Sequence, residues 1–250
     1  MSGEVHGPAE FYRVPLGRVA ARLVRARLAA LWPEVTGAAP GCGPRLDVLG
    51  LGWAEPYLSL WPDQPGRRIA LTPEGLGRMP GSAQVREQHL PLPDRCMDRI
   101  LLIHALEASE SAHALLRECW RVLRDDGRLM VVVPNRLGSW ALFDHTPFGQ
   151  GRPYSRGQLE GQLRQQMFAV TRRDAALFVP PFPWSFALRG AALWDRLGRR
   201  SLRRLGGVTL IEAEKDVFAA MPAGAPAMGR RVVAEAPAGY ARIKGTVPDR

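Results

Sequence analysis

The residues of this chain best suited to chemistry stand where short apolar runs stop. In Arg45–Leu58, R-L-D-V-L-G-L-G-W-A-E-P-Y-L, the run breaks at Gly50 and Gly52. Glycines there let the backbone turn tightly and approach a ligand with no Cβ in the way, so a small-molecule cofactor site is one reading; a plain strand-to-helix turn is the other. Asp98–His104, D-R-I-L-L-I-H, ends on an imidazole. A histidine at a strand end can serve as a general base toward an acceptor oxygen or nitrogen, or can simply bond a neighbouring backbone group. His145 and Tyr154 flank and close the loop T-P-F-G-Q-G-R-P-Y (Thr146–Tyr154), where they could line an acceptor pocket or pack a lid. The five histidines, His6, His89, His104, His113 and His145, show no paired ligand spacing, so no metal site is expected. Cys42, Cys96 and Cys119 are odd in number and far apart, which reads as reduced thiols.

The elements that must position these residues repeat one pattern. Leu46, Val48 and Leu49 suit a buried parallel strand, followed by the glycine turn and a helix. Arg68–Leu71 is a second strand, and Thr72 is placed to cap a helix that begins at Pro73. Val85–Leu90 leads into the turn P-L-P-D, and Asp98–His104 forms the next strand. Ser111 then precedes a helix over Ala112–Leu123, with Leu115, Leu116, Cys119, Val122 and Leu123 on one face and Gly127 to end it. Leu129–Val133 is the following strand, ending at Pro134 and Asn135. Such alternation predicts a mostly parallel sheet covered by helices on both faces, with any ligand at the carboxyl ends of the strands, near Gly50, Leu71, His104 and Asn135.

Around this unit, Leu16–Trp32 carries Leu16, Ala20, Val24, Leu28 and Leu31 at helical spacing, with Pro15 in the first turn. Arg18, Arg22 and Arg25 fall on its other side, as a solvated face or as a contact for an anionic partner. Ser155 and Gln158 form a capping box for a helix to about Phe168. Val170–Pro180 and Gly207–Phe218 read as two further strands at an antiparallel edge. The expected division is an N-terminal helix and linker (1–40), one α/β domain (41–220) and a disordered tail (221–250).

Of the 250 residues, 46% are hydrophobic and 23% charged, which suits one substantial core. No apolar run approaches the roughly 18 residues of a membrane span and no signal-peptide pattern opens the chain, so a cytoplasmic protein is expected. The net charge is +10, supplied by arginine except for Lys215 and Lys244. Codon bias accounts for arginine in place of lysine but not for the excess of bases over acids, which favours an anionic partner. The segment holding Trp184, Phe186, Arg189, Trp194, Arg196, Arg199, Arg200, Arg203 and Arg204 suits peripheral contact with an anionic membrane, or else packs its tryptophans inward. No aromatic-basic motif of the kind that binds RNA is present, so nucleic acid is not favoured as a partner.

Four motifs in this order, L-D-V-L-G-L-G, T-P-E-G-L, H-L-P-L-P-D-R-C-M-D-R-I-L-L-I-H-A-L-E and L-L-R-E-C-W-R-V-L-R-D-D-G-R-L-M-V-V-V-P-N, span Leu46–Asn135. Together they resemble the class I S-adenosylmethionine-dependent methyltransferases, type 11, similar to those of quinone biosynthesis. The resemblance implies a Rossmann-like, doubly wound, mostly parallel sheet with an antiparallel edge. It also implies S-adenosylmethionine as cofactor and a small or lipid-like methyl acceptor. The implied cofactor contacts are Asp47, Gly50, Gly52, Ala70, Leu71, Arg86 and His104, the last also as candidate base. Departures from the family pattern are several. Val48 holds the position of an acidic residue, with Asp47 one place early and so on the opposite strand face. Ala54 replaces the third glycine, Ala70 the ribose-binding carboxylate and Arg86 the acid before the P-L-P-D turn. These departures open a second reading, an inactive module that keeps the fold for binding or regulation, and leave an RNA-directed methyltransferase as a third.

Overall fold

The computed structural model describes residues 8–33, 45–58, 60, 65–77, 79–144, 146–181, 190–201 and 204–216. The expected linker at Thr36–Pro44, the tail from Met221, and Trp184, Phe186 and His145 lie outside the described residues. In chain order the elements are α1 (Pro8–Phe11), α2 (Pro15–Leu31), β1 (Val48–Gly52), α3 (Glu55–Leu58), β2 (Arg68–Pro73), β3 (Ala83–Val85), β4 (Met97–Ile103), α4 (Ala112–Val122), β5 (Leu123–Pro134), α5 (Arg156–Gln165), β6 (Phe168–Ala176), α6 (Ala191–Ser201) and β7 (Val208–Lys215). The strands form one sheet in the order β3-β2-β1-β4-β5-β7-β6. Pairing is parallel from β3 to β5. β7 runs antiparallel to both neighbours, so the antiparallel strand sits one place in from the edge and β6 is outermost.

Side chains alternate across a strand, and β4 is apolar on both faces because both are covered. Leu101 and Ile103 join the cluster of α2, with Ala20, Leu23, Val24, Leu28 and Trp32. Ile100 and Leu102 join Leu115, Leu116, Cys119 and Val122 of α4, and Leu159 and Leu163 of α5. The helix from the first forty residues is thereby part of the sheet's core. Its end is fixed by the Trp32 indole, which donates to Glu212 Oε2 on β7 at 2.8 Å. Arg128 and Thr171 donate to the other oxygen of this buried carboxylate at 2.9 and 2.8 Å, so its charge is compensated.

Two local expectations are corrected. No helix follows Thr72: β2 continues to Pro73 because Thr72 and Pro73 pair with Gln84 and Val85 of β3, and only a single 3-10 turn, Glu74–Leu76, follows. The Thr72 hydroxyl bonds Ser82 instead of capping a helix. Gly75 and Gly77 then make poor helix residues. Gly127 does not end α4 but lies within β5. The helix stops at Val122, where the carbonyls of Arg121 and Val122 accept the amides of Arg95 and Cys96. The capping box at Ser155 and Gln158 forms as expected and opens α5.

Candidate active site

β1 and β4 end side by side, with Gly52 paired to Ile103. Gly52 has φ +80°, and a Cβ there would lie 2.2 Å from the Ile103 carbonyl oxygen and 2.9 Å from Ala105 Cβ. The next amide, of Trp53, donates to that same carbonyl at 2.7 Å. The glycine turn is thus clamped onto the end of β4. At Gly50 a Cβ would meet Ala54 at 2.8 Å and Leu58 at 3.1 Å, so this glycine lets α3 pack closely on β1.

Directly after β4 the backbone of His104 adopts φ +54°, an unfavourable conformation for a residue with a side chain. The ring is held between two side chains. Nδ1 lies 2.9 Å from Glu107 Oε1, and Nε2 lies 2.8 Å from the Tyr12 hydroxyl. A carboxylate only accepts, so Nδ1 carries the proton and Nε2 presents its lone pair. Desolvation, reinforced by Tyr57 and Glu107 nearby, pushes the Tyr12 phenol well above its ordinary pKa, so Tyr12 keeps its proton and donates to Nε2. The Phe148 ring meets the imidazole edge-on at 4.8 Å, and Tyr12 stacks on Trp53 at 5.3 Å between centroids. Of the two roles open to His104, bonding a backbone group is therefore not the one adopted. Its two nitrogens hold Tyr12 and Glu107.

The Gly/Pro loop closes over this pair. Gly151, at φ +79°, passes so near that a Cβ would lie 2.6 Å from the Glu107 carbonyl oxygen, and Arg152 donates its amide to that oxygen at 3.0 Å. Tyr154 stands half-buried beside it, its phenol pushed up by desolvation and then by Glu107. The second carboxylate oxygen of Glu107 is buried with no hydrogen-bond partner among the described residues.

Beside this centre, the carboxyl ends of β2 and β3 and the segment after β4 enclose a cavity of about 180 Å³ lined by Pro73, Glu74, Arg86, Glu87, Ala108 and Glu110. Arg86 and Glu74 approach to 4.0 Å. Both are well exposed at the cavity mouth. Glu87 accepts the Ser111 amide at 2.8 Å. The site is therefore acidic at the position where the sequence comparison left only Ala70. Since Ala70 pairs with Gly50 in the body of β2, the first carboxylate beyond that strand is Glu74.

Of the residues expected at the site, Gly52, Arg86 and His104 stand at the carboxyl edge, and Gly50 and Ala70 lie two and three residues back within their strands. Two are corrected. Leu71 is buried with Leu49 and Leu51 on the face covered by α4, because the strand runs past it. Asp47 precedes β1 and so occupies the opposite, amino edge, where Arg67 donates to it from both backbone and side chain at 2.8 Å. That pairing holds its carboxyl below the ordinary range. Asn135 ends β5 but is spent on structure, donating to the carbonyls of Arg204 and Gly206. Three site residues were missed from the sequence: Glu107, Tyr12 and Glu74. The step from His104 to Glu107 in H-A-L-E, three residues, was a usable signal for the first; nothing local marked Tyr12.

The fold is shared with known structures. Residues 73–131 match the family model of a methyltransferase domain. An S-adenosylmethionine-dependent methyltransferase from Archaeoglobus fulgidus superposes with a TM-score of 0.51 at 18% identity, over 77% of this chain and 93% of that one. Another from Aquifex aeolicus does so with a TM-score of 0.50 at 16% identity, over 83% and 98%. The chain has the class I methyltransferase fold. A curated relative, the uncharacterized protein YafS of Escherichia coli, is 32% identical over 143 residues, 55% of this chain and 56% of that protein. The chain thus spans about half the length of the relative it matches.

Proposed function

We propose that this protein is an S-adenosylmethionine-dependent methyltransferase acting on a small or lipid-like acceptor. The observation that carries the reading is the convergence, at the ends of β1 and β4, of the glycine turn with the His104–Glu107 pair. That place is the topological switch point, where open α/β sheets bind ligands. The residues fit the cofactor in their acidic cavity, whose carboxylates can accept hydroxyl and ammonium hydrogen bonds. Glu74 would hold the ribose hydroxyls in place of the alanine at 70. S-adenosylmethionine, when bound, supplies a methyl group on a sulfonium sulfur.

The chain's own groups then have defined tasks. Glu107 fixes the imidazole orientation and tautomer. Nε2 of His104, once Tyr12 gives up its hydrogen bond to it, would take the proton of an acceptor hydroxyl or amine. Phe148, Trp53 and Tyr12 keep water from the reacting atoms.

A second reading, an inactive binding module, is favoured by the Tyr12–Trp53 stack beside the glycine turn: a stack that never opens leaves His104 unable to meet an acceptor. Calorimetric titration with S-adenosylhomocysteine separates the two. Binding to the full chain, weakened about tenfold to a hundredfold by Glu74→Gln through the loss of one charge-assisted hydrogen bond, is the expected result. No binding at millimolar ligand removes the enzyme reading.

For the partner, peripheral contact with an anionic membrane is supported by where apolar side chains stand exposed. Leu137, Leu142, Trp194, Leu197 and Leu205 are all between 49% and 76% exposed. Their segments adjoin: Gly198 of α6 and Gly206 both pack on Phe178, and Gly206 in turn meets Gly138. Arg136, Arg196, Arg200 and Arg204 are exposed among them. Leucine and tryptophan beside arginine suit a headgroup boundary. No described helix is long and apolar enough to cross a membrane.

A further inference from the structure

A second, larger cavity of about 490 Å³ opens between α2 and the glycine turn. Its apolar side is made by Tyr12, Trp53, Pro56 and Tyr57, and α2 contributes arginines to it. Arg18, Arg22 and Arg25 recur at steps of four and three, which stacks them on one stripe of the helix, with Arg13 just before it. Like charges so placed repel, and such a row persists at a cost unless an anion joins it. Among the described residues no carboxylate pairs with Arg13, Arg18 or Arg22. Arg25 is anchored by donating to the Pro56 carbonyl at 2.7 Å, which ties the stripe to the short helix after the glycine turn. Trp53 adds a buried indole N–H with no acceptor among the described residues.

The cavity also adjoins the candidate base. Tyr12 is common to both: its ring lines the cavity, and its hydroxyl bonds His104 Nε2. A molecule lodged in the cavity therefore touches the group that covers the base.

Resting on the methyltransferase reading, we propose that this cavity is the acceptor site and that it takes an apolar molecule bearing a phosphate head. The charge count selects phosphate over carboxylate. A phosphate monoester carries about −1.5 to −2 at pH 7, and its oxygens can accept guanidinium N–H groups in pairs, as a stripe of arginines offers them. The aromatic floor beside it takes the apolar body, and the volume lies in the ordinary range for small-molecule sites, roughly 300–1,000 Å³.

The test uses the full chain and decyl phosphate below its micelle-forming concentration, titrated by calorimetry beside 1-decanol, inorganic phosphate and phosphatidylglycerol vesicles. Decyl phosphate is expected to bind at least tenfold more tightly than decanol or inorganic phosphate. Arg22→Gln should weaken it at least tenfold without lowering the melting temperature, because Arg22 makes no ion pair within the described fold and its removal relieves repulsion along the stripe; Arg117→Gln on α4, which removes the same charge elsewhere, should leave binding unchanged. Equal affinity for decyl phosphate and decanol, or an Arg22→Gln protein that binds as well as the parent, overturns the proposal. So does dependence on Arg22 seen with vesicles alone, which would assign the stripe to a membrane surface. S-adenosylhomocysteine is titrated in parallel: its binding without that of decyl phosphate sinks this inference and leaves the methyltransferase reading standing. The reverse result keeps a phosphate site and removes its role as the acceptor site of a methyltransferase.

Discussion

Gly52→Ala isolates the contact on which the candidate site is built. The position has φ +80°, and the added methyl group would sit 2.2 Å from a backbone oxygen, that of Ile103, which cannot swing aside as a flexible side chain would. Gly81 supplies the control, since its φ is +77° and a Cβ there meets only the flexible Glu55 side chain, at 3.2 Å. Both substitutions force a left-handed alanine, at about 1–2 kcal/mol each, and both gain about 0.4–1 kcal/mol by stiffening the unfolded chain. These contributions cancel in the comparison. What remains is the overpacking at the β1–β4 junction, about 1–3 kcal/mol. For a folded unit of about 200 residues this corresponds to a melting temperature lower by roughly 2–12 °C for Gly52→Ala than for Gly81→Ala. Thermal unfolding by circular dichroism measures it, and S-adenosylhomocysteine affinity should fall only in the first variant. Equal melting temperatures would refute the inference that the turn is clamped onto the end of β4.

Two other expectations concern the edges of the sheet. Asp47 has its carboxyl held low, chiefly by the hydrogen bond from the Arg67 side chain, so the stabilisation is present above the ordinary carboxylate range and is lost as pH falls through the folded value, below about 4. Urea unfolding of Asp47→Asn against the parent should therefore show a stability gap at pH 7 that closes below about pH 4; a gap independent of pH would mean the pairing is not electrostatic. For the membrane contact, sedimentation with phosphatidylglycerol vesicles should weaken in Leu142→Ser and Trp194→Ser. It should also weaken as salt shortens the Debye length from about 10 Å at 0.1 M to about 3 Å at 1 M. Absence of binding at low salt rules the contact out.

Sequence alone determined the elements whose cause is local. The 3.6-residue periodicity of Leu16–Trp32 placed α2, Ser155 and Gln158 set the start of α5, and the apolar runs ending at Gly52 and His104 located the carboxyl edge. Each of these follows from residues within a few positions of one another, where propensity, capping and chain geometry act directly. Tertiary structure decided what depends on neighbours distant in sequence. Pairing with β3 carried β2 past Leu71 to Pro73 and made Glu74, not residue 70, the carboxylate at its end. The position of Asp47 before β1 became meaningful only when Arg67 and Asp98 met it at the amino edge. Tyr12 reaches His104 across 92 residues of sequence because α2 is drawn onto the sheet by its apolar stripe, and that carries the preceding segment to the ends of β1 and β4. No local pattern encodes such a meeting: side-chain periodicity fixes which face is buried, and only the packing of those faces fixes which polar groups are left together at the edge.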